Sequence, residues 1–250
     1  MMRALPRTNF HSSRLVRSLS GLDVVAVAAS NQALAERLGQ WLDVGDAIAL
    51  FAALSPKTSG ATAVQSPDGS GLQEELAQLR TGLIDGIGAD LGSKARIKLP
   101  QPAADAPLEI QADFSPYRRY YLAHQRDMAT KIGQLRARAR AVLAETSPRL
   151  KQLAELDAAL DQALGERERV LLATVPTLLE KRFERLRAAH CDALRDTQQA
   201  DDPGRWLQPG GWLARFRKDM QDVLLAEQDL RLQAVVGLIE AHSQEVSEHR

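Results

Sequence analysis

Apolar positions along the chain recur three and four residues apart, the spacing of one face of an α-helix. Leu15, Leu19 and Leu22 mark a short helix over residues 9–20, with Ser12 or Ser13 placed to cap it. Leu34, Leu38, Trp41/Leu42, Ile48 and Phe51 form a second stripe, running from a cap at Ser30 or Asn31 to about Leu54, and Gly45 either weakens this helix or divides it. Leu72, Leu76, Leu79, Leu83, Ile87 and Leu91 mark a third helix. Gly82, Gly86 and Gly88 lie in its second half, and each costs about 1 kcal/mol relative to alanine in a helix interior, so this helix depends on tertiary contacts. Such a glycine edge either admits a close neighbour or marks fraying.

The second half of the chain is more sharply punctuated. Ser115-Pro116 places a capping residue before a proline at the first helical position, where the missing N–H is not needed, and a helix follows to about Glu145. Ser147-Pro148 repeats the signal, so the two helices form a hairpin. Leu153, Leu156, Leu160, Leu164, Leu171, Val175, Leu178 and Leu186 make a stripe long enough for coiled-coil-like packing. Pro176 removes a backbone hydrogen bond within it and either kinks the helix or ends it. The breakers from Asp201 to Gly211 form a turn, and Trp212, Phe216, Met220, Val223, Leu230, Ala234 and Leu238 lie on one face of a final helix.

Neither an alternating strand pattern nor an internal repeat emerges. The pattern therefore predicts an all-α fold, a helical bundle with long antiparallel, coiled-coil-like helices in its C-terminal half. Residues 1–92 read as a helical N-terminal region with a flexible linker at 55–71, residues 93–114 as a Pro-rich connector, and residues 115–250 as the long-helix bundle.

Composition agrees. Aromatic residues make up 4% of the 250 positions, as expected where Leu and Ala stripes pack and Arg, Glu and Gln cover outer faces. Thirty-two basic and 32 acidic residues balance, so attraction to a polyanion has to come from local asymmetry. Cys191 is the one cysteine, which excludes an intramolecular disulfide and a multi-cysteine metal site. No stretch approaches the ~20 apolar residues of a membrane span. The apolar run from Leu22 to Ala29 follows several arginines, as in a signal peptide, but Asp23 interrupts it, so the expected location is cytoplasmic.

Candidate chemistry is sparse. His11, His124, His190, His242 and His249 are far apart, and none has a second histidine at the i+4 position. His190 and Cys191 are adjacent, but neighbours on a helix point about 100° apart and cannot readily share a proton or an ion. Gly86-Ile87-Gly88 lacks the spacing and the preceding strand of a phosphate loop. No catalytic, cofactor-binding or metal-binding residue is assigned, and the chain is expected not to be an enzyme. One local charge asymmetry stands out: Arg118, Arg119, Arg126, Arg136 and Arg140 share about a third of the circumference of the helix from Tyr117. They form either a surface for nucleic acid, anionic lipid or an acidic partner, or a solvated face paired with Glu155, Asp157, Asp161, Glu166 and Glu168 of the following helix. Phe114, Tyr117, Tyr120 and Tyr121 read as core, and Trp206 and Trp212 as packing around the turn. The expected function is therefore that of an interaction or scaffold protein acting on a protein partner or on itself through helical stripes, with nucleic-acid binding through residues 118–140 as the alternative.

The segment from Phe114 to Met128, Phe-Ser-Pro-Tyr-Arg-Arg-Tyr-Tyr-Leu-Ala-His-Gln-Arg-Asp-Met, resembles a family of proteobacterial proteins of about this length with no assigned activity. Leu135-Arg-Ala-Arg-Ala-Arg and Ser13-Arg14-Leu15-Val16-Arg17 fit the same resemblance, which spans essentially the whole chain. Genes of that family often lie beside those for MotA/TolQ/ExbB-like proton-channel proteins and OmpA-like peptidoglycan-binding proteins. The resemblance implies a cytoplasmic accessory of an envelope complex and carries over no catalytic residue.

Overall fold

The structure, a computed structural model, describes residues 13–22, 40–55, 70–88, 96–101 and 112–248. These residues form α1 (Arg14–Ser20), α2 (Val44–Leu54), α3 (Ser70–Ile87), α4 (Ser115–Thr146), α5 (Pro148–Leu172), α6 (Val175–Thr197) and α7 (Trp212–Glu248), with a 3-10 turn at Pro203–Arg205 and no strand. The protein is an all-α helical bundle. The proposed caps at Ser12, Ser30 and Asn31, the Leu22–Ala29 run beyond Leu22, Leu34, Leu38, most of the 55–71 linker, Leu91 and most of the 93–114 connector lie outside the described residues.

Proline and serine punctuate the long helices. Ser147 caps α5 by accepting a hydrogen bond from Leu150 N at 3.2 Å, with Pro148 in the first turn. Pro176 ends one helix and begins the next: α5 stops at Leu172, Ala173 and Thr174 turn the chain, and Pro176 sits in the first turn of α6. At α4 the capping group differs from expectation. Ser115 is already helical, and Asp113 Oδ1 instead accepts from Ser115 N at 3.0 Å and from its hydroxyl at 2.9 Å. In the second apolar segment the helix restarts at Asp43 rather than dividing at Gly45. Asp43 accepts from Asp46 N at 2.7 Å, and the Asp46 side chain accepts from Asp43 N at 3.2 Å, which closes a capping box.

Helix α7 is the centre of the bundle, packed by α1, α3, α4, α5 and α6. The single apolar face expected for it is too narrow. Between Val223 and Gln228 only Leu225 is even partly exposed, and Leu232, Val235 and Ile239 add further buried positions. Side-chain pairings fix the directions. Tyr121 meets Glu227 and Ser147 meets Glu245, so α4 and α7 run parallel. Arg136 and Arg140 meet Asp157 and Asp161 while Gln125 reaches Leu172 O, so α5 runs back along α4. Arg182 joins α6 to α7 through Asp219 at 2.8 Å, and reaches the end of α1 through Leu22 O at 3.3 Å. Leu15, Leu22, Leu72, Leu83 and Ile87 therefore share one core with the four long helices.

The lower end of that core is aromatic. Phe114, Tyr117, Phe183 and Phe216 pack with ring centroids 5.0–6.0 Å apart, mostly tilted or edge-on, which is the arrangement ring quadrupoles favour. Trp212 and Trp206 extend the cluster into the 201–211 turn. The turn is tight because Trp206 O accepts from Ala214 N at 3.0 Å, closing the loop back onto the first turn of α7. Gly210 has φ +88°, and a Cβ on Gly211 would collide with the carbonyl oxygens of Trp206 and Arg205.

Gly211→Ala should therefore destabilise the fold by about 1–3 kcal/mol, the range for forcing extra volume into a filled site. Gly133→Ala, at an exposed mid-helix position where a Cβ meets nothing within 4 Å, should instead stabilise it by about 1 kcal/mol. Urea unfolding of the two variants checks both, and equal midpoints would contradict this account of the turn.

Candidate interaction surface

Helix α2 has its large and small side chains the wrong way round for a core helix. Residues advance about 100° each, so Val44, Ile48 and Phe51 fall within about 60° of arc, with Ala53 opposite Val44. Ala53 is the buried one, facing α5, and Gln152 of α5 donates to Leu54 O at 2.9 Å. Val44, Ile48, Phe51 and Leu54 are 77%, 64%, 72% and 57% exposed. The sequence places Ile48 and Phe51 on an apolar stripe and leaves open whether it is buried in the chain or meets another one; in the structure both side chains face outward. Asp43 and Asp46 are the charged residues between Gln40 and Ser55, so the surface has an acidic end and carries no cation.

The five arginines of the basic face have separate fates. Arg136 is bidentate on Asp157, with both bonds at 2.7–2.9 Å, and also reaches Asp161 at 2.7 Å. Arg140 meets the same carboxylates at 2.6 and 2.9 Å. Burial pushes the Asp157 carboxyl up, but hydrogen bonds from Arg136 and Arg140 outweigh it, and its pKa lies below the ordinary value. Arg118 lies 3.9 Å from Glu180 of α6. Arg126 donates its Nε to Leu122 O at 3.2 Å, and both Arg119 and Arg126 are exposed.

His190 does pair, though not with Cys191. Its Nε2 lies 2.8 Å from Asp201 Oδ1, which also accepts from Trp206 Nε1 at 2.8 Å, and the imidazole stacks on Trp212. The 11-residue separation across a turn hid this contact from the sequence. Cys191 is exposed. His124 and His242 are buried, and His11 and His249 lie outside the described residues. Burial holds the pKa of His124 at about 4, with Asp127 pulling the other way and Lys131 adding to the depression. No group of three or more His, Cys, Asp or Glu residues able to hold a metal ion occurs among the described residues.

A second buried constellation also went unread. Glu227 is 0% exposed, yet its carboxylate accepts from Tyr121 Oη at 2.6 Å, from Gln125 Nε2 at 3.0 and 3.1 Å, and from Arg231 at 2.8 and 2.9 Å. Burial and the Glu227 carboxylate together drive the Tyr121 hydroxyl well above its ordinary pKa. All four side chains hold one another and bridge α4 to α7. The available signal was the position of Glu227 on the predicted stripe, four residues beyond Val223.

The class so defined is an all-helical bundle with an outward apolar face on α2. Among the described residues, no helix is long and apolar enough to cross a membrane. The model of a family described as a protein of unknown function (DUF3348) matches residues 1–244, and the chain belongs to that family. No curated protein and no solved structure matches the chain.

Two acid-side predictions follow from these titrating groups. The folded pKa of His124, about 4, lies below the unfolded value of 6.5, so the unfolded chain takes up the proton first as pH falls. Its contribution to stability is present above pH ~6.5 and is lost toward pH 4, amounting to about 3 kcal/mol there. His124→Gln should flatten the pH dependence of the unfolding free energy in that window, and an unchanged slope would refute the assignment. Asp157 is likewise depressed, so its contribution is present above the unfolded carboxylate value near 4 and disappears as pH drops through the lower folded value. Asp157→Asn should therefore be less stable than the parent at pH 7, with the gap in Tm narrowing below pH ~4.

Proposed function

We propose that the chain is a non-enzymatic helical interaction protein whose α2 face receives an apolar helix of a protein partner. The outward turn of Val44, Ile48, Phe51 and Leu54, with Ala53 buried behind them, carries this reading. Burying four large side chains would favour the fold by roughly 1.5–3 kcal/mol each, and nothing among the described residues covers them. A patch on the order of a few hundred Å² is smaller than the ~800 Å² per side of a stable interface, which suits one element of a transient or multi-point contact.

Charge favours a different chain over a second copy. The face carries Asp43 and Asp46 and no cation, so a second copy would bring further carboxylates, whereas a partner helix with Lys or Arg beside its apolar stripe complements both features. The resemblance noted from the sequence suggests a cytoplasmic accessory of an envelope-associated complex as the setting. Nucleic-acid binding through residues 118–140 has less support, because Arg136 and Arg140 are engaged with Asp157 and Asp161 and only Arg119 and Arg126 of the five remain without an acidic partner among the described residues.

A photo-crosslinking residue in place of Phe51, introduced into the full chain in its native cells, tests the proposal. The expected result is a discrete adduct with a second protein. That protein, once purified, should bind the parent chain at least tenfold more tightly than Ile48→Asp, whose circular dichroism should match the parent. Adducts only with the chain itself, dimers in light scattering, or equal binding by Ile48→Asp would overturn it.

A further inference from the structure

A cleft of about 850 Å³ lies between the second half of α3, the middle of α4 and the segment 96–101. It falls within the roughly 300–1,000 Å³ range of small-molecule sites. Three separate features of its lining ask for an occupant.

The first is the glycine edge of α3. Gly82 and Gly86 are one turn apart and both face the cleft. A Cβ on Gly82 would meet nothing within 4 Å, and on Gly86 only His124 Cε1 at 3.8 Å. Packing among the described residues therefore requires neither glycine, although both weaken the helix relative to alanine. The second is His124, which lines the cleft, is 2% exposed, and has its Nε2 buried without a hydrogen-bond partner. An orphaned polar atom of this kind is destabilising until something bonds it.

The third is the charge. Lys131 and Asp127 neutralise each other at 2.8 Å. Arg126 spends only its Nε on Leu122 O, leaving its terminal nitrogens, and Arg96 and Asp85 make no ion pair with any described residue. Two guanidiniums therefore stand against one carboxylate. Leu83, Ile97 and Ala123 supply apolar wall.

We propose that this cleft binds a small organic anion, with Arg96 and Arg126 on its carboxylate or phosphate group, its apolar part along the glycine edge, and His124 Nε2 as a single polar contact at the base. Guanidinium forks match planar or tetrahedral oxyanions in geometry as well as in charge. The site uses no residue of α2, so it stands or falls independently of the partner surface.

Benzoate, phenyl phosphate and inorganic phosphate, titrated separately into the full chain with NMR detection of the histidine ring nitrogens and backbone amides, provide the test. The expected result is saturation by benzoate or phenyl phosphate at about millimolar concentration or below, with the largest shifts at the His124 ring and the Gly82 and Gly86 amides. Which of the two binds more tightly separates a carboxylate from a phosphate ligand, and weaker binding of inorganic phosphate reports the apolar wall. Arg96→Glu and Arg126→Glu, both at exposed positions, should each weaken binding at least tenfold without altering the circular dichroism. Gly82→Leu should block it by filling the cleft. Shifts that fail to saturate, that bypass His124, or that persist unchanged in the arginine variants would overturn the proposal.

Discussion

The fold turns on a buried carboxylate. Placing Glu227 in the centre of the bundle removes a charge from water, which costs several kcal/mol unless partners replace the lost solvation. Tyr121, Gln125 and Arg231 supply them, and Gln125 also donates to Leu172 O at the last turn of α5. One carboxylate thereby fixes the register of α4 against α7, and through Gln125 the end of α5 is tied to the same point. Slide α4 along α7 by one turn and both the Tyr121 and the Gln125 bonds are lost, leaving the charge with only its own-helix Arg231. Apolar packing alone tolerates such slippage; a buried charge with directional partners does not.

The remaining architecture follows from α7 being surrounded. Its neighbours share a finite surface, and α4 takes the longest strip because it runs parallel to α7 from the aromatic end to the Ser147–Glu245 bond. Helix α5 returns along α4 and touches α7 less, so it has no buried position from Glu155 to Leu171: Val170 and Leu171 are exposed, although the leucine spacing suggested a continuous seam. Arg136 and Arg140 hold α5 where apolar burial is thin, through paired guanidinium–carboxylate bonds that are only partly solvated. Ionic pairing and hydrophobic seam alternate along the same hairpin.

Much of this was legible in the residues. Helical spacing gives the class, and Ser147-Pro148 and Pro176 mark helix starts because proline is tolerated where no N–H is needed. The tyrosines from Tyr117 to Tyr121 are core, as their spacing on one turn implied. What stayed hidden depends on which helices meet. Glu227 lies on the predicted stripe, but its partners, and those of Arg182, appear only when α4 and α1 deliver Tyr121 and Leu22 O to them. The parallel run of α4 and α7 comes from the chain reversing twice between them, at Ser147 and in the turn before Trp212, while α5 and α6 both run the opposite way, not from any motif. Among the candidate arginines, Arg136 and Arg140 found the acidic partners that the next helix offered at Asp157 and Asp161. The outward face of α2 stayed undecided because periodicity counts apolar positions without saying which of two phases is buried.

That phase is the informative part of α2. A helix with alanine and large apolar residues on opposite sides can bury either, and burying the larger side removes more surface from water. Here the alanine side faces α5, with Gln152 bonded to the C-terminal carbonyl at Leu54, while the capping box at Asp43 fixes the start of the helix. The capping box is internal to α2 and fixes only where the helix begins, so the packing of Ala53 on α5 and the bond from Gln152 to Leu54 O are what hold Val44, Ile48 and Phe51 outward. A surface maintained in that way is specified by the fold, and the balance that would make it favourable lies in what the face meets.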